Sequence, residues 1–254
     1  MMNGNFLNRK VDFIIAGTQK GGTTALDSYL RTHPEIYMAQ NKEVHFFDKD
    51  KLFLSEHVDY EYYHSFFSPK PCTKIVGEAT PIYMYWYTAP RRIWEYNPEM
   101  KLIIILRNPI LRAFSGWNME RERGTESLDF IDAIKNERER CRDSLPLQHR
   151  TFSYLDRGFY TEQLRRIWFF FRKDQTLILK NEDLRCNRSK TLSRICDFLE
   201  ISGADWSVEK NVHSRKYIKP LSTPEIDYLK HIFEYEIKEL ERILSWDLSD
   251  WLSL

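Results

Sequence analysis

Residues 17–24 combine glycines, a lysine and two threonines at a spacing that suits phosphate binding. Gly17 and Gly22 are spaced as in the G-x-x-x-x-G-K-[ST] loop, but Thr23 stands where that loop has its lysine, and Lys20 comes three residues earlier. Glycines let backbone N–H groups approach an anion at a helix N-terminus. An ordinary glycine-rich turn with a surface lysine is the alternative. We predict an anion-binding loop made of Lys20, Gly21, Gly22, Thr23 and Thr24.

A second set of polar residues follows the apolar run "KLIIILRNP" at residues 101–109. A nucleoside-triphosphate enzyme usually has an aspartate at the end of such a strand to hold magnesium, and here Arg107 follows the run instead. Pro109 favours the first turn of a helix, which would carry Ser115. An arginine and a hydroxyl suit a phosphate monoester, and we predict that Arg107 and Ser115 bind a second anion without a metal. The alternative is that Arg107 pairs with a carboxylate of the protein and that Ser115 has no binding role.

Four short apolar runs must position these residues, at 11–17, 73–81, 101–109 and 176–184. Helical patterns lie between them, and alternation of this kind indicates a mostly parallel sheet. We predict an α/β fold, with residues 1–254 forming a single domain whose P-loop-like sheet is flanked by helices on both faces. The ligand loops should lie at the carboxyl ends of the strands.

Composition excludes several classes of protein. The 38 basic and 37 acidic residues leave a net charge of +1, which does not suit a nucleic-acid binder. The cysteines form no metal-binding pair. The N-terminal residues have no signal-peptide pattern and no run is long enough to span a membrane, so we expect a cytoplasmic protein. The highly charged residues 121–150 are interpreted as a solvated helical excursion, or as a mobile flap over a site.

The sequence resembles sulfotransferases that use 3′-phosphoadenosine 5′-phosphosulfate (PAPS). The resemblance is nearest to the heparan sulfate sulfotransferase-like branch and its bacterial relatives. The matching stretches are "GTQKGGTTAL", "KEVHFFD", "GEATPIY", "LRNPILRAFSGW", "HSRKY" and the closing "LSWDLSDW". They span essentially the whole chain. The displaced lysine is the arrangement of that family.

The resemblance implies a role for each matching residue. Lys20 would neutralise charge on the leaving phosphate. The other four residues of the first loop would bind the 5′-phosphate, and Arg107 and Ser115 would bind the 3′-phosphate. Arg215 and Lys216 would close over the nucleotide. PAPS would be the donor cosubstrate, and no metal would be required.

In "KEVHFFD", the resemblance makes Glu43 the general base that takes the acceptor's proton. His45 is the other candidate, because other sulfotransferase branches use histidine. Lys42 could lower the pKa of Glu43 or contact the sulfonate. Residues 43–48 could instead form a core strand, whose alternation would still place Glu43 and His45 on one face.

The implied reaction is an in-line transfer of a sulfonate group to a hydroxyl, or less readily an amine, of a small-molecule, lipid or carbohydrate acceptor. Ala79 replaces a lysine found in many carbohydrate-acting relatives, no cysteine pair brackets the last motif, and the chain is nearly neutral. These departures from the family pattern favour an acceptor smaller than a polysaccharide. Tyr83 and Trp86 are predicted to line its pocket. A magnesium-dependent P-loop kinase and a non-catalytic nucleotide-binding relative are the alternatives. The oligomeric state stays open.

Overall fold

The computed structural model of the protein describes residues 9–206 and 217–254. Within these residues the strands are β1 (Phe13–Gly17), β2 (Ile36–Met38), β3 (Ile75–Ala79), β4 (Lys101–Leu106) and β5 (Thr176–Lys180). They form one sheet in the order β2-β3-β1-β4-β5, and every neighbouring pair is parallel. The predicted α/β fold with a parallel sheet is therefore confirmed.

Helices flank this sheet. Those in the described residues are α1 (Thr23–Leu30), α2 (Tyr60–His64), α3 (Ala89–Tyr96), α4 (Pro109–Glu122), α5 (Phe130–Lys135), α6 (Glu137–Arg142), α7 (Tyr160–Phe170), α8 (Asn181–Cys186), α9 (Arg188–Leu199), α10 (Thr223–Leu244) and α11 (Ser249–Leu252). None of these helices is both long enough and apolar enough to cross a lipid bilayer.

The core forms around the central strands because their residues are apolar on both faces. Every residue of β1 and of β3 is buried, as expected for parallel strands covered on both sides. On one face, Phe13 and Ile15 of β1 pack in a cluster with Leu26 of α1 and Leu192 of α9. This packing holds β1 and α1 in the orientation that defines the loop between them.

The contacts divide the chain into two compact units. One lies within residues 1–106 and 167–213 and contains the whole sheet. The other lies within residues 107–166 and 214–254 and contains α4, α5, α6, α10 and α11. The first loop and the "KEVHFFD" segment belong to the sheet-containing unit, whereas Arg107 and Ser115 belong to the second unit. The prediction of one domain over residues 1–254 stays a prediction.

Three local interpretations were wrong. The strand β2 was missed because three residues carry too little pattern. Residues 43–48 form no strand. The excursion at 121–150 is helical in α5 and α6, but it is not simply solvated, because Glu126 and Glu137 are 3% and 5% exposed. Glu126 accepts hydrogen bonds from both terminal nitrogens of Arg140, at 2.8 and 3.1 Å.

Candidate active site

The loop between β1 and α1 is held in one conformation by buried contacts. The Thr18 N–H donates to the carbonyl of Ile105 on β4 at 3.0 Å, and the Gly21 N–H donates to the Thr18 carbonyl at 2.8 Å. Asn181, the first residue of α8, donates its side-chain N–H to the Gly21 carbonyl at 2.7 Å. These bonds fix the backbone that a bound anion would meet.

The residue types of this loop follow from its geometry. Gly22 has a φ of 106° and Lys20 a φ of 70°, both in the left-handed region, which glycine adopts without steric cost. A Cβ on Gly21 would contact the Ile105 carbonyl, and one on Gly22 would lie 2.6 Å from Asn181 Nδ2. The close packing therefore needs glycine at both positions.

The helix α1 begins at Thr23, and Gly22 is its N-cap residue with no side-chain cap. Thr23 is buried and Thr24 is exposed. An uncapped N-terminus presents backbone N–H donors and the positive end of the helix dipole, which is the arrangement that binds phosphate groups.

The "KEVHFFD" segment brings four charged side chains together. Glu43 Oε1 lies 2.6 Å from Lys42 Nζ, and Glu43 Oε2 lies 3.4 Å from His45 Nε2. His45 Nδ1 lies 3.0 Å from Asp48 Oδ2. The Asp48 side chain is completely buried, whereas Glu43 and His45 are 38% and 34% exposed. The two most accessible groups of this cluster are thus the two candidate bases.

The backbone of this segment is in an unusual conformation. Glu43 and His45 have φ values of 64° and 54°, a left-handed region that costs a non-glycine residue on the order of 1 kcal/mol. The Glu43 N–H donates to the carbonyl of Ala79, at the carboxyl end of β3, at 2.9 Å. Because strained backbone persists only where its surroundings determine it, the conformation points to a functional constraint.

The charges of the cluster set the protonation states. The hydrogen bonds from Asp48 and then Glu43 raise the pKa of His45 to about 9. The hydrogen bond from His45 is the largest cause that lowers the pKa of Glu43 to about 2, and the charge of Lys42 contributes. At neutral pH, His45 is therefore a cation and Glu43 an anion, so only Glu43 is able to accept a proton.

In the second unit, Arg107 lies two residues before α4, and Ser115 lies in the middle of that helix. Asn108 caps this helix by accepting from the Ile110 N–H at 2.9 Å, and Pro109 is in the first turn as predicted. Ser115 is 8% exposed. Arg107 Nη2 donates to the Tyr217 hydroxyl at 3.2 Å.

Tyr217 also stacks on Phe114, with ring centroids 5.2 Å apart. The predicted nucleotide residues Arg215 and Lys216, which precede it, lie outside the described residues.

Tyr83 and Trp86, the predicted acceptor contacts, are 0% and 3% exposed. The Tyr83 hydroxyl is 3.3 Å from Glu78 Oε1, and Trp86 Nε1 donates to Asp50 Oδ1 at 3.2 Å. Their burial does not support acceptor contact, which stays a prediction. No group of His, Cys, Asp and Glu side chains in residues 9–206 and 217–254 is arranged to hold a metal ion.

Sequence reasoning missed Asp48, Asn181 and Tyr217 as members of these clusters. Asp48 closes the "KEVHFFD" stretch, and its position three residues after His45 was an available signal. Asn181 lies within the predicted run 176–184 and directly follows β5, at the strand end where ligand loops are expected. Tyr217 ends the matching stretch "HSRKY", but the sequence did not indicate its contact with Arg107, which spans 110 positions.

Comparisons with known proteins show the family to which the chain belongs. The family model for the sulfotransferase domain matches residues 10–232. Human heparan sulfate glucosamine 3-O-sulfotransferase 6 is 31% identical over 190 residues, covering 73% of this chain and 51% of that protein. The crystal structure of a sulfotransferase from Alicyclobacillus acidocaldarius is similar with a TM-score of 0.81 and 26% identity, covering 96% of this chain and 99% of that one. The chain belongs to the sulfotransferase domain family, as predicted.

One further structural match has low sequence identity, and the chain covers only part of the length of its relatives. A mouse sulfotransferase complexed with PAP matches with a TM-score of 0.53 and 16% identity, over 78% of this chain and 61% of that one. At that identity the match shows the fold alone. The chain spans about half the length of the heparan sulfate sulfotransferases that it matches.

Proposed function

We propose that this protein transfers a sulfonate group from PAPS to a hydroxyl group of an acceptor. The observation that carries the proposal is the pairing of Glu43 with His45 in a strained segment that is hydrogen-bonded to the last residue of β3. This segment lies in the unit that also contains the glycine loop. Membership of the sulfotransferase family supports the same reaction.

The first loop suits the 5′-phosphosulfate. Its uncapped helix N-terminus and its tightly packed glycines would bind the phosphate through backbone N–H groups and the hydroxyls of Thr23 and Thr24. Lys20 would neutralise the negative charge that develops on the leaving oxygen. Arg107 and Ser115 would bind the 3′-phosphate, with Arg215 and Lys216 as further nucleotide contacts.

PAPS supplies the sulfonate group that is transferred. The acceptor oxygen forms a bond to sulfur while the bond from sulfur to the phosphate oxygen breaks, and the acceptor's proton passes to the Glu43 carboxylate. Lys42 and protonated His45 keep Glu43 ionised and orient it. A weak base suffices, because an oxygen already bonding to sulfur releases its proton readily.

The acceptor is proposed to be a hydroxyl of a carbohydrate, lipid or other small molecule. The name of the human relative, a 3-O-sulfotransferase, supports oxygen over nitrogen. The net charge of +1 does not favour a long polyanion, because such a substrate would be attracted by an excess of basic residues. Location in the cytoplasm stays a prediction.

The test is calorimetric titration of the protein with 3′,5′-adenosine bisphosphate and with ATP, each with magnesium and with EDTA. We expect metal-independent binding of the bisphosphate and little binding of ATP. Lys20→Ala and Arg107→Ala should weaken that binding, whereas Lys51→Ala, which removes an exposed lysine outside the loop, should not. Magnesium-dependent binding of ATP alone would instead support a kinase.

Transfer is tested separately with Glu43→Gln. This variant should bind the bisphosphate as the wild type does and lose transfer of radiolabelled sulfonate to a panel of hydroxylated acceptors. Binding without transfer in the wild type, across the whole panel, would favour a non-catalytic nucleotide-binding protein.

A further inference from the structure

A buried carboxylate on β3 has no part in the proposed transfer. Glu78 is completely buried, and three hydroxyl groups donate to it. Tyr63 donates to Oε1 at 2.8 Å, Thr80 to Oε2 at 2.6 Å, and Tyr83 to Oε1 at 3.3 Å. Because a buried carboxylate is costly unless it is fully hydrogen-bonded, a cluster of this kind needs an explanation.

Tyr83 connects this carboxylate to the segment that carries the candidate base. Its hydroxyl accepts from the Phe46 N–H at 2.9 Å and lies 3.4 Å from the Phe47 nitrogen. A phenol has a single proton. Since Tyr83 gives that proton to Glu78, its oxygen lone pairs face the backbone N–H groups of the segment.

Hydrogen bonds to the backbone of the segment are made at both ends of the strained stretch. At its first residue, the Glu43 N–H donates to the Ala79 carbonyl at 2.9 Å, and directly after His45 the Phe46 N–H donates to the Tyr83 hydroxyl. Glu43 and His45, the two residues with left-handed backbone, are thus enclosed by hydrogen bonds to residues of β3 and of the turn that follows it.

We infer that Tyr83 is a positioning residue for the candidate active site: its hydroxyl, oriented by Glu78, holds the backbone that sets Glu43 beside His45. The expected effect of Tyr83 on catalysis rests on the proposed function, in which Glu43 is the base. It gives Tyr83 a role other than the acceptor contact predicted from the sequence, and it assigns Glu78 a role through Tyr83.

The test compares Tyr83→Phe with Tyr63→Phe. Both substitutions remove one hydroxyl donor to the same oxygen of Glu78, and both residues are completely buried. Of these two hydroxyls, the one that accepts from the backbone of the segment is that of Tyr83. Burial raises the pKa of Glu78 to about 7. The assays are therefore run at pH 8, where Glu78 is mainly ionised. Unfolding in urea confirms that each variant is folded under assay conditions.

We expect Tyr83→Phe to lower kcat by at least about tenfold, since small displacements of a catalytic group reduce rates strongly. Its affinity for 3′,5′-adenosine bisphosphate should stay unchanged. Tyr63→Phe should keep kcat within about twofold of the wild type, as for a substitution outside the positioning contacts. Equal effects of the two variants on kcat would overturn the inference, since they would reflect the loss of core hydrogen bonds alone.

A second readout does not need activity. The imidazole of His45 is titrated by NMR in both variants, and Tyr83→Phe should bring its pKa from about 9 toward the ordinary value, while Tyr63→Phe should not. An unchanged His45 titration in folded Tyr83→Phe would overturn the positioning role. Failure of the wild type to transfer sulfonate would instead overturn the proposed function and leave this titration interpretable.

Glu78→Gln serves as the second variant if Tyr83→Phe does not fold. An amide can donate to the Tyr83 hydroxyl, so that this hydroxyl no longer has to present its lone pairs to Phe46. The inference expects kcat and the His45 pKa to fall in this variant as well. Wild-type values of both in folded Glu78→Gln would contradict the role assigned to the carboxylate.

Discussion

The Nε2 atom of His45 lies 3.4 Å from the Oε2 atom of Glu43. On its other side, the same imidazole lies 3.0 Å from the buried carboxylate of Asp48. A cation between two carboxylates stabilises both anions and keeps its own proton. The relationship decides which of the two candidate bases is able to take a proton, and it leads to the first prediction.

His45 should remain protonated at neutral pH and titrate near pH 9, because Asp48 and Glu43 stabilise its charged form. The measurement is an NMR titration of the imidazole. Asp48→Asn should lower the His45 pKa toward 6.5, since it removes the largest cause of the shift. An imidazole that titrates near 6.5 in the wild type would contradict this assignment, since His45 would then be neutral at pH 8.

The same two pKa shifts both stabilise the folded protein, but their contributions are lost in opposite directions of pH. The pKa of His45 is raised in the folded state, so its contribution is complete below its ordinary pKa of 6.5 and is lost as pH rises through about 9. The pKa of Glu43 is lowered, so its contribution is present above 4.5 and is lost as pH falls through about 2. Urea unfolding between pH 7 and pH 10 should show the His45 contribution decline, and His45→Gln should flatten that decline.

Asn181→Ala should destabilise the protein and weaken nucleotide binding. It leaves the buried carbonyl of Gly21 without the donor that lies at 2.7 Å, which costs about 1–3 kcal/mol. The control is Asn187→Ala, at an exposed asparagine close by in the chain. Urea unfolding and titration with 3′,5′-adenosine bisphosphate measure the two effects. A normal affinity in Asn181→Ala would mean that the loop keeps its shape without this contact.

Gly22→Ala should disrupt the first loop more than the strain of an alanine in left-handed backbone would by itself. Gly22 and Gly124 both have positive φ, at 106° and 74°, but a Cβ on Gly124 meets nothing within 4 Å. Gly124→Ala should therefore cost only about 1 kcal/mol for the left-handed conformation. Gly22→Ala adds a clash with Asn181 and should cost more stability and abolish nucleotide binding. Similar losses in both variants would show that packing around the loop is unimportant.

Glu126→Gln should cost about 3 kcal/mol in the free energy of unfolding, because it breaks a buried ion pair and leaves Arg140 without its carboxylate. Glu95→Gln is the control, since the Arg91–Glu95 pair is exposed, with side chains 67% and 42% accessible, and should change stability by less than about 1 kcal/mol. Urea unfolding compares the two. A small loss in Glu126→Gln would restore the interpretation of residues 121–150 as a solvated excursion.

Local sequence patterns were sufficient for the family, the fold class and most of the elements. Buried parallel strands read as continuous apolar runs, so β1, β3, β4 and β5 were visible without tertiary information. The glycine spacing of the first loop and Pro109 of α4 were also visible, because backbone conformation and proline chemistry act within a few residues. These features are the basis on which the sequence predicts an anion-binding loop.

Only the tertiary structure decided how the candidate site is arranged. The bond from Asn181 to Gly21 spans 160 positions, and the bond from Phe46 to Tyr83 spans 37. The sequence contained Glu43 and His45 and left the choice of base open, because protonation depends on burial, distance and neighbouring charges that have no local signature. The left-handed backbone of Glu43 and His45 was equally hidden. The segment alternates in a way that suits a strand when taken alone, and the hydrogen bonds to β3 and Tyr83 override that preference.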